Sequence, residues 1–162
     1  MKKVLKKITC FMLIMCVITA TLASAHVEAQ AATSSKPTYY FTHLNKQKGG
    51  KVTSPWGASY YNTGVTKVIV KGNKLILYAS FLKSGSKNMT ATKKNFSPYK
   101  KYTFTLTSKT KYYYSEFDIE TDKMISIPTR KTNAIRTMKR LNGLGMTIKV
   151  QNGKVVYIRF SS

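Results

Sequence analysis

Two runs of strict period-two alternation flank Asn152-Gly153 near the C-terminus. Leu144, Met146, Ile148 and Val150 alternate with Gly145, Thr147, Lys149 and Gln151 on one side; Val156, Ile158 and Phe160 alternate with Val155, Tyr157 and Arg159 on the other. Alternation over this length fits a strand with one face buried, and Asn-Gly between two such runs is a strong local signal for a β-hairpin. A two-residue loop would set Met146 opposite Arg159 and Ile148 opposite Tyr157. A three-residue loop, Gln151-Asn152-Gly153, would pair Ile148 with Val156, Met146 with Ile158 and Leu144 with Phe160, all apolar, with Gly153 at the left-handed position that such a loop requires. The three-residue loop is therefore expected.

The same reading extends upstream. Residues 65–71 are β-branched, Gly72-Asn73 is a turn signal, and 75–82 form a second apolar run. Residues 83–100 read as a polar loop. Tyr102, Phe104 and Leu106 then alternate with Thr103, Thr105 and Thr107, and the strand resumes or turns through 111–114. Residues 128–141 are the one good helix candidate. Thr129 is placed to cap it, Ala134, Ile135, Met138 and Leu141 form its apolar stripe, and Asn142-Gly143 provides the stop. From Val65 the order is strand, strand, strand, helix, strand, strand. That predicts a mainly β fold with one helix (α+β), a small OB-like barrel, whose closure would remove exposed sheet edges. Residues 32–64, aromatic and Gly-punctuated, read as an N-terminal extension with one or two short strands, and 65–162 as the barrel-like domain.

The first 31 residues have the parts of a cleavable export signal. Lys2, Lys3, Lys6 and Lys7 precede the apolar run 8–22, and small-residue patterns end at Ala25 and Ala31. Cys10 and Cys16, the only cysteines, lie in this segment. The mature chain would have neither disulfide nor thiol nucleophile, and would depend on its core for stability. It is expected to be secreted and extracellular, free or associated with a cell wall. Formal charge is +23, from 28 Lys and Arg against 5 Asp and Glu. Removing residues 1–31 takes away four lysines and Glu28 and leaves 24 basic against 4 acidic side chains, a net of +20. Such a charge attracts polyanions, and salt weakens that attraction.

Lys93, Lys94, Lys100 and Lys101 interleave with Phe96, Tyr99 and Tyr102; Lys109 and Lys111 lead into Tyr112, Tyr113 and Tyr114. Lysines can hold phosphates as point charges, and exposed tyrosines can stack on bases or sugars. The polyanion-binding set is therefore Lys93, Lys94, Tyr99, Lys100, Lys101, Lys109, Lys111 and Tyr112, with Arg130, Arg136, Lys139 and Arg140 of the helix. The competing reading has the tyrosines pack on the barrel and the lysines solubilise it.

Glu116, Asp118, Glu120 and Asp122 would share one face of an extended segment and could then chelate a hard cation, or they form a solvated loop within a basic surface. Their closeness in sequence leaves them ill placed to bracket a sugar from two sides. His43 has no Cys or His cluster around it, and no Gly-x-Ser-x-Gly or nucleotide-binding glycine motif occurs. No cofactor is expected. The reading that follows is a non-enzymatic binding module for an anionic polymer such as teichoic acid, nucleic acid or glycosaminoglycan. The alternatives are a metal-dependent hydrolase such as a nuclease, using the 116–122 carboxylates with Arg130 or Arg136, and a structural domain without ligand.

Leu106-Thr107-Ser108-Lys109-Thr110-Lys111-Tyr112, the basic helix running into Asn142-Gly143-Leu144, and Val150-Gln151-Asn152-Gly153-Lys154-Val155 resemble the C-terminal half of small secreted Gram-positive bacterial proteins of unassigned function. The likeness covers 102–162 and carries no catalytic residue across.

Overall fold

A computed structural model describes residues 36–162. The expected export signal, its expected cleavage sites and both cysteines lie outside the described residues. The protein is mainly β with a single short helix among the described residues. The strands are β1 Thr38–His43, β2 Gly50–Thr53, β3 Ser59–Asn62, β4 Val65–Lys71, β5 Lys74–Ser84, β6 Phe96–Thr105, β7 Lys111–Asp118, β8 Lys123–Pro128, β9 Gly145–Gln151 and β10 Lys154–Ser161; α1, Lys131–Arg140, lies between β8 and β9.

Five strands close a circuit of pairings. β5 pairs antiparallel with β1 and β6, β1 with β9, and β9 with β10; a single parallel bridge, Lys154 to Thr105, joins β10 to β6. Strand β4 hangs from β5, β7 runs parallel to β10, and β8 pairs with β7. β2 and β3 form a separate ribbon.

Two expectations change here. The segment read as an extension supplies β1, which lies between β5 and β9, and Tyr40 and Leu44 from it are in the core. From Val65 the chain also makes two more strands before the helix than expected, because the acidic segment turns back at 119–122 and 123–128 pairs with β7.

Curvature comes from irregularities in register. Pairing shifts between Val65 and Lys67, between Ala79 and Phe81, and between Val155 and Tyr157. An extra residue in one strand bends it and increases its twist, which lets a sheet curl on itself. Beyond its shift, β5 buries Phe81 and Leu82, while Ser80 binds Gly64 through both backbone and side chain.

Inside the circuit, Tyr40 packs edge-on against Phe81 and Phe104, with ring centroids 5.6 and 5.2 Å apart, and Phe81 meets Tyr102 at 4.8 Å. Phe81 and Phe160 are wholly buried, and each such side chain contributes ~1.5–3 kcal/mol. Tyr102, Phe104 and Leu106 are all buried, as their alternation predicts.

The terminal hairpin corrects the expected register. Gln151 pairs with Lys154, so the loop is two residues, Asn152 and Gly153, both at positive φ. The shift after Val155 then sets Ile148 opposite Ile158 and Met146 opposite Phe160. Apolar matching is kept by a bulge in the strand instead of an extra loop residue. Helix α1 buries Ala134, Thr137 and Met138, with Ile135 and Leu141 packed at the edge of the core. Its N-cap is Arg130, without a side-chain cap bond, so Thr129 does not cap it. It stops at Leu141, which is left-handed at φ 49, two residues before Gly143.

Candidate functional site

A cleft of about 840 Å³ opens where the β4–β5 turn, the β6–β7 turn and the start of α1 meet. The 107–110 turn is held by its own hydroxyls. Thr107 N donates to Thr110 Oγ1 at 2.9 Å, Thr110 N donates to Thr107 O at 3.1 Å, and Thr110 Oγ1 donates to Val155 O at 2.8 Å. Leu106 N donates to Asn73 O at 2.7 Å, which fixes one wall; Thr129 N donates to Tyr112 O at 2.9 Å, which fixes another. These bonds set Lys111 and Lys131 around a lining that includes Ser108, Thr129, Tyr112 and Tyr113, and no lining residue is a carboxylate.

Tyr112 is buried at 6% exposure, so it cannot act as the exposed stacking ring that the sequence suggests. Its hydroxyl has no hydrogen-bond partner, and burial raises its pKa. A buried donor without a partner is uncommon and calls for a physical account; here the atom belongs to a residue of the cleft wall.

The other expected residues scatter. Lys109 is exposed on the turn beside the cleft, and Arg130 is the N-cap next to Lys131. Arg136, Lys139 and Arg140 are exposed on α1. Lys93, Lys94, Lys100 and Lys101 are exposed before and along β6, away from the cleft lining, and Lys100 Nζ lies 5.3 Å from the Tyr102 ring centroid. The Tyr99 hydroxyl is bonded to Thr66 Oγ1 at 2.6 Å, and Lys48 Nζ lies 5.6 Å from the Tyr99 ring centroid, so this ring is already engaged.

A row of basic and aromatic side chains was missed from sequence, with Tyr39 buried and Lys149, Tyr157 and Arg159 half-buried. Pairing aligns Tyr39, Lys149 and Tyr157 in one row, and Phe41, Thr147, Arg159 and Tyr113 in the next. Lys149 Nζ lies 5.9 Å from the centroids of both Tyr39 and Tyr157, and Arg159 lies 5.3 Å from that of Tyr157. These residues come from both ends of the chain, so no window of sequence holds the pattern. Trp56, 92% exposed in the β2–β3 turn, is a further unused ring, signalled only by its Pro55 and Gly57 neighbours.

The acidic residues do not share one face of an extended segment. Glu116 and Asp118 are on β7, while Glu120 and Asp122 fall in the turn. Asp118 accepts bonds from Glu120 N at 3.0 Å and from Thr121 Oγ1 at 2.7 Å, and the Thr121 bond holds its carboxyl below the ordinary value. Among the described residues no three His, Cys, Asp or Glu side chains converge on a point. His43 Nδ1 lies 3.3 Å from Thr63 Oγ1, and burial lowers its pKa, so it is neutral near pH 7.

Comparison with known proteins finds no family model, no curated protein and no solved structure that matches this chain.

Proposed function

We propose that the chain is an exported, non-enzymatic binding module for an anionic polymer, carried on an OB-like barrel. The barrel reading draws on the pairing circuit. With the ring strands β1, β5, β6, β9 and β10 counted in chain order, the first pairs with the second and fourth, the third with the second and fifth, and the fourth with the fifth. The helix falls between the third and fourth. This order supports the OB-like reading, with β1 standing where the Val65 run was expected. Export rests on the leader alone.

The observation that carries the ligand class is the cleft. Two ammonium groups and hydroxyl-bearing side chains line it without a carboxylate, on a chain of net +20 once residues 1–31 are removed. Lys111 and Lys131 supply point charges for phosphate or sulfate, and Thr129 and Ser108 offer hydroxyls to neighbouring oxygens. The start of α1 has no acidic residue in its first turn, so its positive end also favours an anion there.

The test is retention on heparin, DNA and teichoic-acid resins across a salt series. For single-stranded nucleic acid, log affinity should fall with log salt by about 0.7 per phosphate contact. Lys111→Glu with Lys131→Glu should lower the eluting salt more than Lys93→Glu with Lys94→Glu, which changes the charge equally. Equal losses would indicate a diffuse charge effect and remove the cleft from the reading. No retention on any resin at low salt would defeat the polyanion reading altogether.

A further inference from the structure

Strand β8 is the last strand of the main sheet, pairing with β7 alone, and all six of its residues are exposed. An open strand edge is a ready template for another chain, and soluble proteins usually blunt such edges with charge or proline. Within β8 the only charged residue is Lys123 at one end, and Pro128 stands at the other. Between them Met124, Ile125 and Ile127 are 57%, 40% and 37% exposed, next to Phe117 at 56% and Ile119 at 87%.

This apolar ribbon also carries every acidic side chain among the described residues: Glu116, Asp118, Glu120 and Asp122. Basic residues follow β8 directly, at Arg130 and Lys131. The ribbon is therefore acidic at its tip and basic at its base. An antiparallel copy of itself would set tip against base.

We propose that β8 pairs antiparallel with β8 of a second copy, making a two-fold dimer with one continuous sheet across the junction. A two-fold axis normal to the sheet keeps each residue on its own face, so only residues of like parity can lie opposite one another. With Ser126 on the axis, Ile125 lies opposite Ile127 of the second copy and Met124 opposite Pro128, and the turn residue Asp122, just before the strand, comes level with Arg130 just after it. That one charge contact forms twice by symmetry. Centring on Ile125 instead would set Lys123 against Ile127 and Met124 against Ser126, so apolar matching selects the first register. Arg130 is exposed and makes no side-chain cap bond, and Asp122 is exposed in the turn, so both are accessible to a second copy.

The experiment is sedimentation equilibrium of the full-length chain over a concentration series, with three variants. Ile125→Lys with Ile127→Lys should abolish dimer formation. Arg130→Asp and Asp122→Lys, each alone, place like charges in both contacts and should weaken self-association by about tenfold or more. An equimolar mixture of those two variants restores opposite charges at both contacts and should recover the dimer, which a misfolded variant could not do. A wild-type chain that stays monomeric at every concentration overturns the proposal. So does a dimer indifferent to the β8 changes, or a mixture that fails to recover. Polyanion retention is read separately, so failure here leaves the binding reading untouched.

Discussion

The Tyr112 hydroxyl is buried and makes no hydrogen bond, while its residue lines the cleft. Removing a buried polar atom that has no partner is close to neutral for folding. Tyr112→Phe should therefore change unfolding free energy by less than about 1 kcal/mol in a denaturant titration. If an anion uses the hydroxyl, the same variant will lose retention; full retention would make Tyr112 purely a core residue. His43 titrates in the opposite sense to a salt-bridged histidine. Burial holds its folded pKa below 6.5, and a bond to the Thr63 backbone offsets this only in part. The unfolded chain therefore takes up a proton first as pH falls. Stability from this site should be constant above about pH 7 and should decline below 6.5 through the folded value. His43→Gln should flatten that decline in thermal melts between about pH 5 and 7; an unchanged slope would assign it to other groups. Gly153 has φ 71, where a Cβ is costly, so Gly153→Val should destabilise by at least ~1 kcal/mol in the same titration. Gly64 is constrained by space instead, since a Cβ there would clash with the Gln47 carbonyl oxygen.

Among the elements, the terminal hairpin shows how two constraints were reconciled. Asn152 and Gly153 both take positive φ, the geometry a two-residue loop prefers because its twist matches the strands. Apolar partners then needed one residue of slack, and the bulge at Val156 provides it. Helix α1 lacks a capping side chain, since Arg130 at the N-cap has no acceptor. Arg130→Asp supplies a carboxylate to the free amides and the positive helix end, and should raise stability by about 0.5–1 kcal/mol, read as a higher Tm. A lower Tm at protein concentrations where the chain is monomeric would mean that the Arg130 stem packs in a way its exposure does not suggest. The β7–β8 ribbon was unreadable for the opposite reason. Beyond Ser115 the ribbon leaves the core, so apolar and polar residues need not alternate to satisfy burial.

For the whole molecule, charge should act in two directions. Repulsion among the basic side chains disfavours the compact state, so added salt should raise Tm in the low-salt range. The same salt should weaken polyanion retention through loss of counterion release. Melting curves and resin elution on one protein preparation check both signs. A Tm that falls with salt would mean that local pairs such as Lys149 and Arg159 against Tyr157 outweigh the general repulsion.

By itself the sequence determined what depends on near neighbours. Tyr102, Phe104 and Leu106 alternate because each must point the same way from one strand, and all three are buried. The spacing of Ala134 and Met138 placed a helix with one face in the core, and the 65–82 hairpin followed from Gly72-Asn73. Tertiary structure decided which strands meet. The insertion of β1 between β5 and β9 rests on pairings across more than a hundred residues, and closure depends on one bridge from Lys154 to Thr105. The cleft gathers Gly72, Tyr112 and Lys131 from a turn, a strand and the helix, and the Tyr39–Lys149–Tyr157 row joins β1 to the terminal hairpin. Bulges set those registers, and a bulge leaves no local mark in composition. Period and turn chemistry act over two to four residues, whereas register is settled only when distant apolar faces are packed together.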